Sequence, residues 1–201
     1  MLGVFTQLPK FGKLPAGERL NRIKQSPDYK NGAFRNISKT PELVKGVGYV
    51  QALQEYLFEK NYRLKPKTEI PALKTDLLSL SPQDDVLVWF GHSFYFIQLY
   101  GKKILIDPVL SGSATPLPFG TKSFKGTDIY TPEDLPEIDY LFISHDHWDD
   151  LDYETVVQIK DKVKTVICGL GAGAHLERRG YDSERIIERD WFEKIELENG
   201  Q

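Results

Sequence analysis

One cysteine in 201 residues, Cys168, leaves no partner for an intrachain disulfide, which fits a reducing compartment. No apolar run approaches the roughly 18 residues of a membrane span. The opening Met1-Leu2-Gly3-Val4-Phe5 lacks the charged head and long apolar stretch of a secretion signal, so a cytoplasmic location is expected. A basic surplus is missing too: 26 Lys and Arg stand against 29 Asp and Glu, a formal charge of −3. That excludes the electrostatic footprint of a nucleic-acid reader, and no such partner is expected. What is present is an ordinary globular balance, 40% hydrophobic and 27% charged, enough for a domain with a real core.

The chain changes character near residue 80. Residues 1–80 are rich in Lys, Pro and Gly and read as a helical and extended arm. A first helix is expected over about 17–25, with Leu20 and Ile23 on one face. A second follows Thr40-Pro41-Glu42, a cap, N1-proline and first-turn acid. Its stripe of Val50, Leu53 and Leu57 predicts an amphipathic helix docked on the main domain. Residues 63–85 should lie extended over the surface.

Beyond Asp85 the pattern becomes that of strands: Val86 to Phe90, Phe94 to Tyr100, and, after a Gly101-Lys102 turn, Lys103 to Asp107. A Gly/Ser/Pro-rich loop covers about 111–127. Tyr140 to Ser144 is another buried strand, 152–162 a helix, Thr165 to Cys168 a strand, about 171–179 a helix and Arg185 to Glu188 a strand. Phe192 to Leu197 would begin one more. The fold class is α/β, a layered domain over 81–201.

The strand at Tyr140 runs straight into Ser144-His145-Asp146-His147-Trp148-Asp149-Asp150. In extended backbone, residues two apart point to the same side. His145, His147 and Asp149 can therefore converge on one point above the strand end. Imidazole nitrogen and carboxylate oxygen suit zinc, and also manganese or iron. Asp146 and Asp150 add negative potential that favours a cation.

This run resembles the H-x-H-x-D-H signature of the metallo-β-lactamase fold superfamily. Trp89-Phe90-Gly91-His92-Ser93, Ile104-Leu105-Ile106-Asp107-Pro108-Val109 and Leu135-Pro136-Glu137-Ile138-Asp139 narrow the likeness. They resemble the branch of N-acyl-phosphatidylethanolamine phospholipase D and the ascorbate-6-phosphate lactonase-like hydrolases, over about 85–200 and more loosely at Phe11-Gly12-Lys13-Leu14-Pro15. The resemblance implies a four-layer αββα sandwich of which this chain holds the first ββα half. It implies His145 and His147 as ligands of a first metal, with Asp149 a ligand of the second and the residue that orients the attacking water. Asp107 would sit behind the ligands and hold an imidazole in one tautomer. His92 would stand near the site mouth, as a turn residue or a functional one.

Two departures accompany the likeness. The signature's last histidine is Asp150 here, a carboxylate that would shift preference toward manganese or iron. The later ligands of the family, two histidines and a bridging aspartate, have no counterpart after the motif. His175, in Gly171-Ala172-Gly173-Ala174-His175-Leu176, reads as a helix-surface or packing residue. The expectation is an N-terminal portion of a metal-dependent hydrolase using metal-activated water, with one or two zinc ions. Its substrate would be a phosphodiester, possibly lipid-derived, or a lactone. The competing expectation is an incomplete, non-catalytic fragment that binds metal weakly. Its exposed sheet would be covered by homodimerisation or a partner fragment.

Weaker candidates fall away. Gly169-Leu170-Gly171-Ala172-Gly173 lacks the Lys-Ser/Thr of a phosphate loop and reads as a tight strand-to-helix turn. Cys168 lies inside an apolar strand and reads as core.

Overall fold

A computed structural model describes residues 8–197 except 39, 42, 59–64 and 116–120. Its centre is a six-stranded sheet of β3 (Val86–Gly91), β4 (Phe94–Leu99), β5 (Lys102–Ile106), β6 (Ile138–Ile143), β7 (Val163–Gly169) and β8 (Ile186–Arg189), paired in that order. A small hairpin of β1 (Tyr29–Lys30) and β2 (Ala33–Phe34) precedes it. The strands from β3 to β5 form an antiparallel meander, and those from β5 to β8 are parallel. Leu99 pairs with Lys102 across Tyr100-Gly101, both at positive φ. That is the turn whose twist matches a tight hairpin.

Three successive crossovers move across the sheet in one direction. Since parallel crossovers are right-handed, all three fall on the same face. That face carries α3 (Tyr153–Ile159) and α4 (Gly173–Arg178). A row of Val88, Phe96, Leu105, Leu141, Val166 and Ile186 runs across it in register. Leu135, Leu151, Val156, Ile159 and Leu176 pack against the row. Each fully buried aliphatic or aromatic side chain contributes about 1.5–3 kcal/mol.

The opposite face is also apolar. Trp89, Tyr95, Ile106, Phe142, Ile167 and Ile187 form its register row. Ile167 on β7 is buried, but toward the β3 edge Leu87 and Trp89 are 63% and 62% exposed. Among the described residues no helix is long and apolar enough to cross a membrane.

The N-terminal arm differs from expectation in part. Helix α1 (Gly17–Gln25) forms as expected and buries Ile23. Arg19 ties it to the domain through bonds of 2.8 Å to both Glu177 and Glu188. Helix α2 begins at Tyr49 and ends at Phe58, well after Thr40-Pro41. The Thr40 hydroxyl bonds Ser38 O instead of capping a helix. Its stripe is not docked: Val50, Leu53 and Leu57 are all exposed. Periodicity marked an apolar face without supplying a surface to receive it. Residues 65–76 are pinned by Ile70 N–H to Lys125 O, Lys74 to Asp134 and Thr75 N–H to the Tyr130 hydroxyl, but the extended run expected to Asp85 is interrupted by a bend at 77–79 and a turn closed by Asp84 N–H to Ser81 O.

Phe192 to Leu197 forms no strand. Asp190 accepts from the Trp191 and Glu193 amides, and Phe192 takes φ +67, so the chain turns instead of extending. The Gly-rich turn before α4 does meet an anion, supplied by the chain itself: Glu188 accepts from the Gly171 and Gly173 amides. Burial pushes the Cys168 thiol up to about 12, consistent with packing over reactivity.

Candidate metal centre

Strands β3, β5, β6, β7 and β8 share one direction, so their carboxyl ends meet at one edge of the sheet. Open α/β sheets place their sites at this edge. Beyond Ile143 the chain leaves as an exposed strip, Ser144 to His147. The His145 and His147 rings come side by side, with centroids 4.4 Å apart. The alternation expected of extended backbone therefore holds for the two imidazoles. After His147 the backbone turns: the amides of Asp150 and Leu151 both donate to His147 O, at 3.2 and 2.7 Å. This turn drives Asp150 inward, to 2% exposure, and leaves Asp149 at the rim.

Two donor groups result. His145, His147 and Asp150 present ligand atoms that all lie within 4.8 Å of one another. His92, Asp149 and Asp150 do the same. His145 Nε2 stands 3.1 Å from Asp150 Oδ2, and His92 Nε2 stands 3.6 Å from Asp149 Oδ2. Adjacent donors on a tetrahedral ion with bonds of about 2.0–2.1 Å are separated by roughly 3.3 Å. The residues thus fit a divalent cation in spacing and in donor chemistry.

The surroundings orient these donors. The Ser144 hydroxyl lies 2.8 Å from His145 Nδ1. If Nδ1–H donates there, the Nε2 lone pair faces Asp150. The Ser93 hydroxyl donates to Asp150 Oδ1 and lies 2.8 Å from His92 Nδ1. Asp107 acts one step back from its expected place. Its carboxylate accepts the Ser144 amide at 2.7 Å, while its own amide donates to Phe142 O. It therefore fixes the serine that holds the imidazole. Burial raises the Asp107 carboxyl above its ordinary value, and the Ser144 hydrogen bonds oppose that rise.

His175 reaches the motif from behind. The Lys13 amide donates to its Nδ1 at 3.1 Å, which places the ring proton on Nε2, 3.4 Å from Asp146 Oδ2. That bond holds the Asp146 carboxyl below the usual range, with burial opposing. Gly12 is required beside the ring, because a Cβ there would stand 1.8 Å from His175 Nδ1. Phe11 meets Trp148 edge-on at 5.4 Å. The arm is thus pinned to the residues between the candidate ligands. Buried Arg179 supports the turn through Leu151 O at 3.3 Å, its pKa lowered by burial to about 10.

A cavity of about 730 Å³ adjoins the turn at Trp148 and Asp152, with Lys10, Ser111, Ser113 and Lys122 also on its wall. Sequence reasoning named the two histidines, Asp149 and Asp150. It missed Ser93, Ser144 and the tie through His175, none of which carries a spacing signal.

Residues 102–201 match the β-lactamase superfamily domain. The mixed α/β fold with a central sheet agrees with that match. An uncharacterised protein of Mycobacterium tuberculosis is 28% identical over 186 residues, covering 87% of this chain and 47% of the relative. N-acyl-phosphatidylethanolamine-hydrolyzing phospholipase D 1 of Caenorhabditis elegans is 32% identical over 125 residues, 56% of this chain and 33% of that enzyme. The diiron β-hydroxylase CmlA of Streptomyces venezuelae matches as a solved structure with TM-score 0.43 and 34% identity, covering 57% of this chain and 22% of that one. Proteins named metal-dependent hydrolases align over shorter stretches. The chain spans about half the length, or less, of these relatives.

Proposed function

We propose that this chain carries the metal-holding turn of a hydrolase in the branch of N-acyl-phosphatidylethanolamine phospholipase D and the ascorbate-6-phosphate lactonase-like enzymes. The observation that carries the reading is the convergence of His145, His147 and Asp150 within 4.8 Å at the carboxyl edge of the sheet. Zinc suits this donor set first, and manganese or iron also fits nitrogen with carboxylate oxygen. A divalent ion supplies Lewis acidity there and brings the pKa of water toward about 7.

The protein's own residues supply the rest. Asp149, at the rim, would accept the hydrogen bond that aims a water at substrate. Ser144 would keep His145 in one tautomer, and Asp107 would keep Ser144 in place. The adjoining cavity is large enough for a small head group. Phosphodiesters, including lipid-derived ones, and lactones are the substrate classes this reading favours, acted on in the cytoplasm. The one-sided sheet fits the first ββα half of a four-layer sandwich, with residues 1–80 as an arm and 81–201 as the domain portion.

Metal analysis of chelator-free protein tests the reading: one or two tightly held zinc, manganese or iron ions per chain are expected. A folded protein with no bound metal at any of these ions would overturn it. The open apolar edge of the sheet favours a second reading, a chain that holds metal weakly and is stabilised by self-association or a partner fragment. Weak metal retention together with a dimer in sedimentation equilibrium would favour that alternative.

A further inference from the structure

The departure of the motif at position 150 has a counterpart elsewhere in the fold. An imidazole at that position offers one nitrogen to one ion, whereas a carboxylate offers two oxygens. Both oxygens of Asp150 are engaged toward different groups. Oδ2 faces His145 Nε2 at 3.1 Å, and Oδ1 takes the Ser93 hydroxyl and faces His92 Nδ1 at 3.8 Å. On the far side of Asp150, His92 Nε2 lies 3.6 Å from Asp149 Oδ2.

His92 itself is built into place. It opens a two-residue turn between the paired residues Gly91 and Phe94, just after a bulge at Phe90. Bulges of this kind re-aim side chains beside functional sites. Its φ is +47, the left-handed region, uncommon for a residue other than glycine and retained where surroundings impose it. Trp89 Nε1–H donates to His92 O at 2.9 Å and locks the turn. The ring is 61% exposed, so it does not serve as core packing. It points an imidazole at two carboxylates across 57 residues of sequence.

The geometry points to a second divalent-cation site formed by His92, Asp149 and Asp150, in which Asp150 is the carboxylate shared with the His145–His147 site. In the signature that the motif resembles, a histidine occupies position 150. Here the β3–β4 turn supplies the nitrogen that Asp150 no longer gives. The carboxylate becomes the bridge, and His92 becomes a ligand of the second ion instead of a turn residue at the mouth. This inference rests on reading His145 and His147 as ligands of the first ion.

The test is metal stoichiometry after equilibrium dialysis against zinc, read by elemental analysis, with Co²⁺ absorption as a spectroscopic report of each site. The chain should bind two ions. His92→Asn keeps a residue that tolerates positive φ and removes the ring. It should bind one ion, with second-site affinity down about tenfold or more and the first-site Co²⁺ spectrum retained. Asp149→Asn, at the exposed rim, should do the same and serves if His92→Asn does not fold. Asp150→Asn should weaken both sites. Two ions bound with unchanged affinity in His92→Asn and Asp149→Asn would overturn the inference. So would a single ion in the unsubstituted chain that is insensitive to His92. Either result leaves the hydrolase reading standing, whereas no ion at all removes that reading first.

Discussion

On one face of the sheet Phe96, Leu105, Leu141 and Val166 stand in register with no surface left in water. On the other, a row of comparable apolarity from Trp89 to Ile187 is buried at Ile167, half-buried at Tyr95, Ile106, Phe142 and Ile187, and open at Trp89, which keeps 62% of its surface. The same strands build both rows, so residue type does not explain the difference. Crossover handedness does: three right-handed connections stepping one way place the crossover helices on one side. A sheet made this way has one finished face and one that is apolar and unfinished at its antiparallel edge.

The largest test of that contrast is truncation on the finished face. Phe96→Ala should cost about 3–5 kcal/mol and Leu141→Ala about 2–5 kcal/mol, as cavities in a filled core do. Urea unfolding measures both. Equal costs for Trp89→Ala on the open face would break the comparison.

A middle-sized effect concerns the arm that reinforces the finished side. Arg19→Ala removes bonds to Glu177 and Glu188, hydrogen bonds between charged groups worth about 2 kcal/mol together after solvent screening. Its pH dependence has a definite sign. The Glu177 carboxyl is held below its ordinary 4.5 chiefly by Arg19, with burial opposing. A carboxyl lowered on folding gives stability that is full above 4.5 and lost as pH falls through the folded value. The unsubstituted chain should therefore lose more stability than Arg19→Ala between about pH 5 and pH 3. Parallel unfolding curves at the two pH values check it.

These contrasts also show what a sequence can and cannot display. The six central strands were legible to within about two residues, because buried strands are short apolar runs bounded by glycine or charge. The hairpin at Asn31-Gly32 went unread although Asn-Gly is a strong turn signal. Its two-residue strands are too short to show alternation. Helix α2 was legible as a helix, but whether Leu53 and Leu57 found a surface depended on tertiary packing. In the site, the shared side of His145 and His147 followed from backbone period alone. Asp150 was different, since its inward position depends on a turn closed by the His147 carbonyl. His92 and Ser93 were further from reach. Their approach to Asp150 requires the strand order, the bulge at Phe90 and a common strand direction, none of which is written locally.

The smallest expected effect lies on the open face, and its size is the informative part. Leu87 already spends 63% of its surface in water, so replacing it with threonine removes little burial. At roughly 25 cal/mol per Å² of apolar surface, the leucine contacts that threonine does not keep are worth about 1 kcal/mol. Leu87→Thr also places a β-branched side chain on the strand, which suits strand preference. Stability should therefore stay within about 1 kcal/mol, while binding of an apolar-surface dye should fall, because the patch that attracts it is smaller. A large loss of stability instead would mean that this edge is already covered in solution. The two faces would then differ only in which chain supplies the cover.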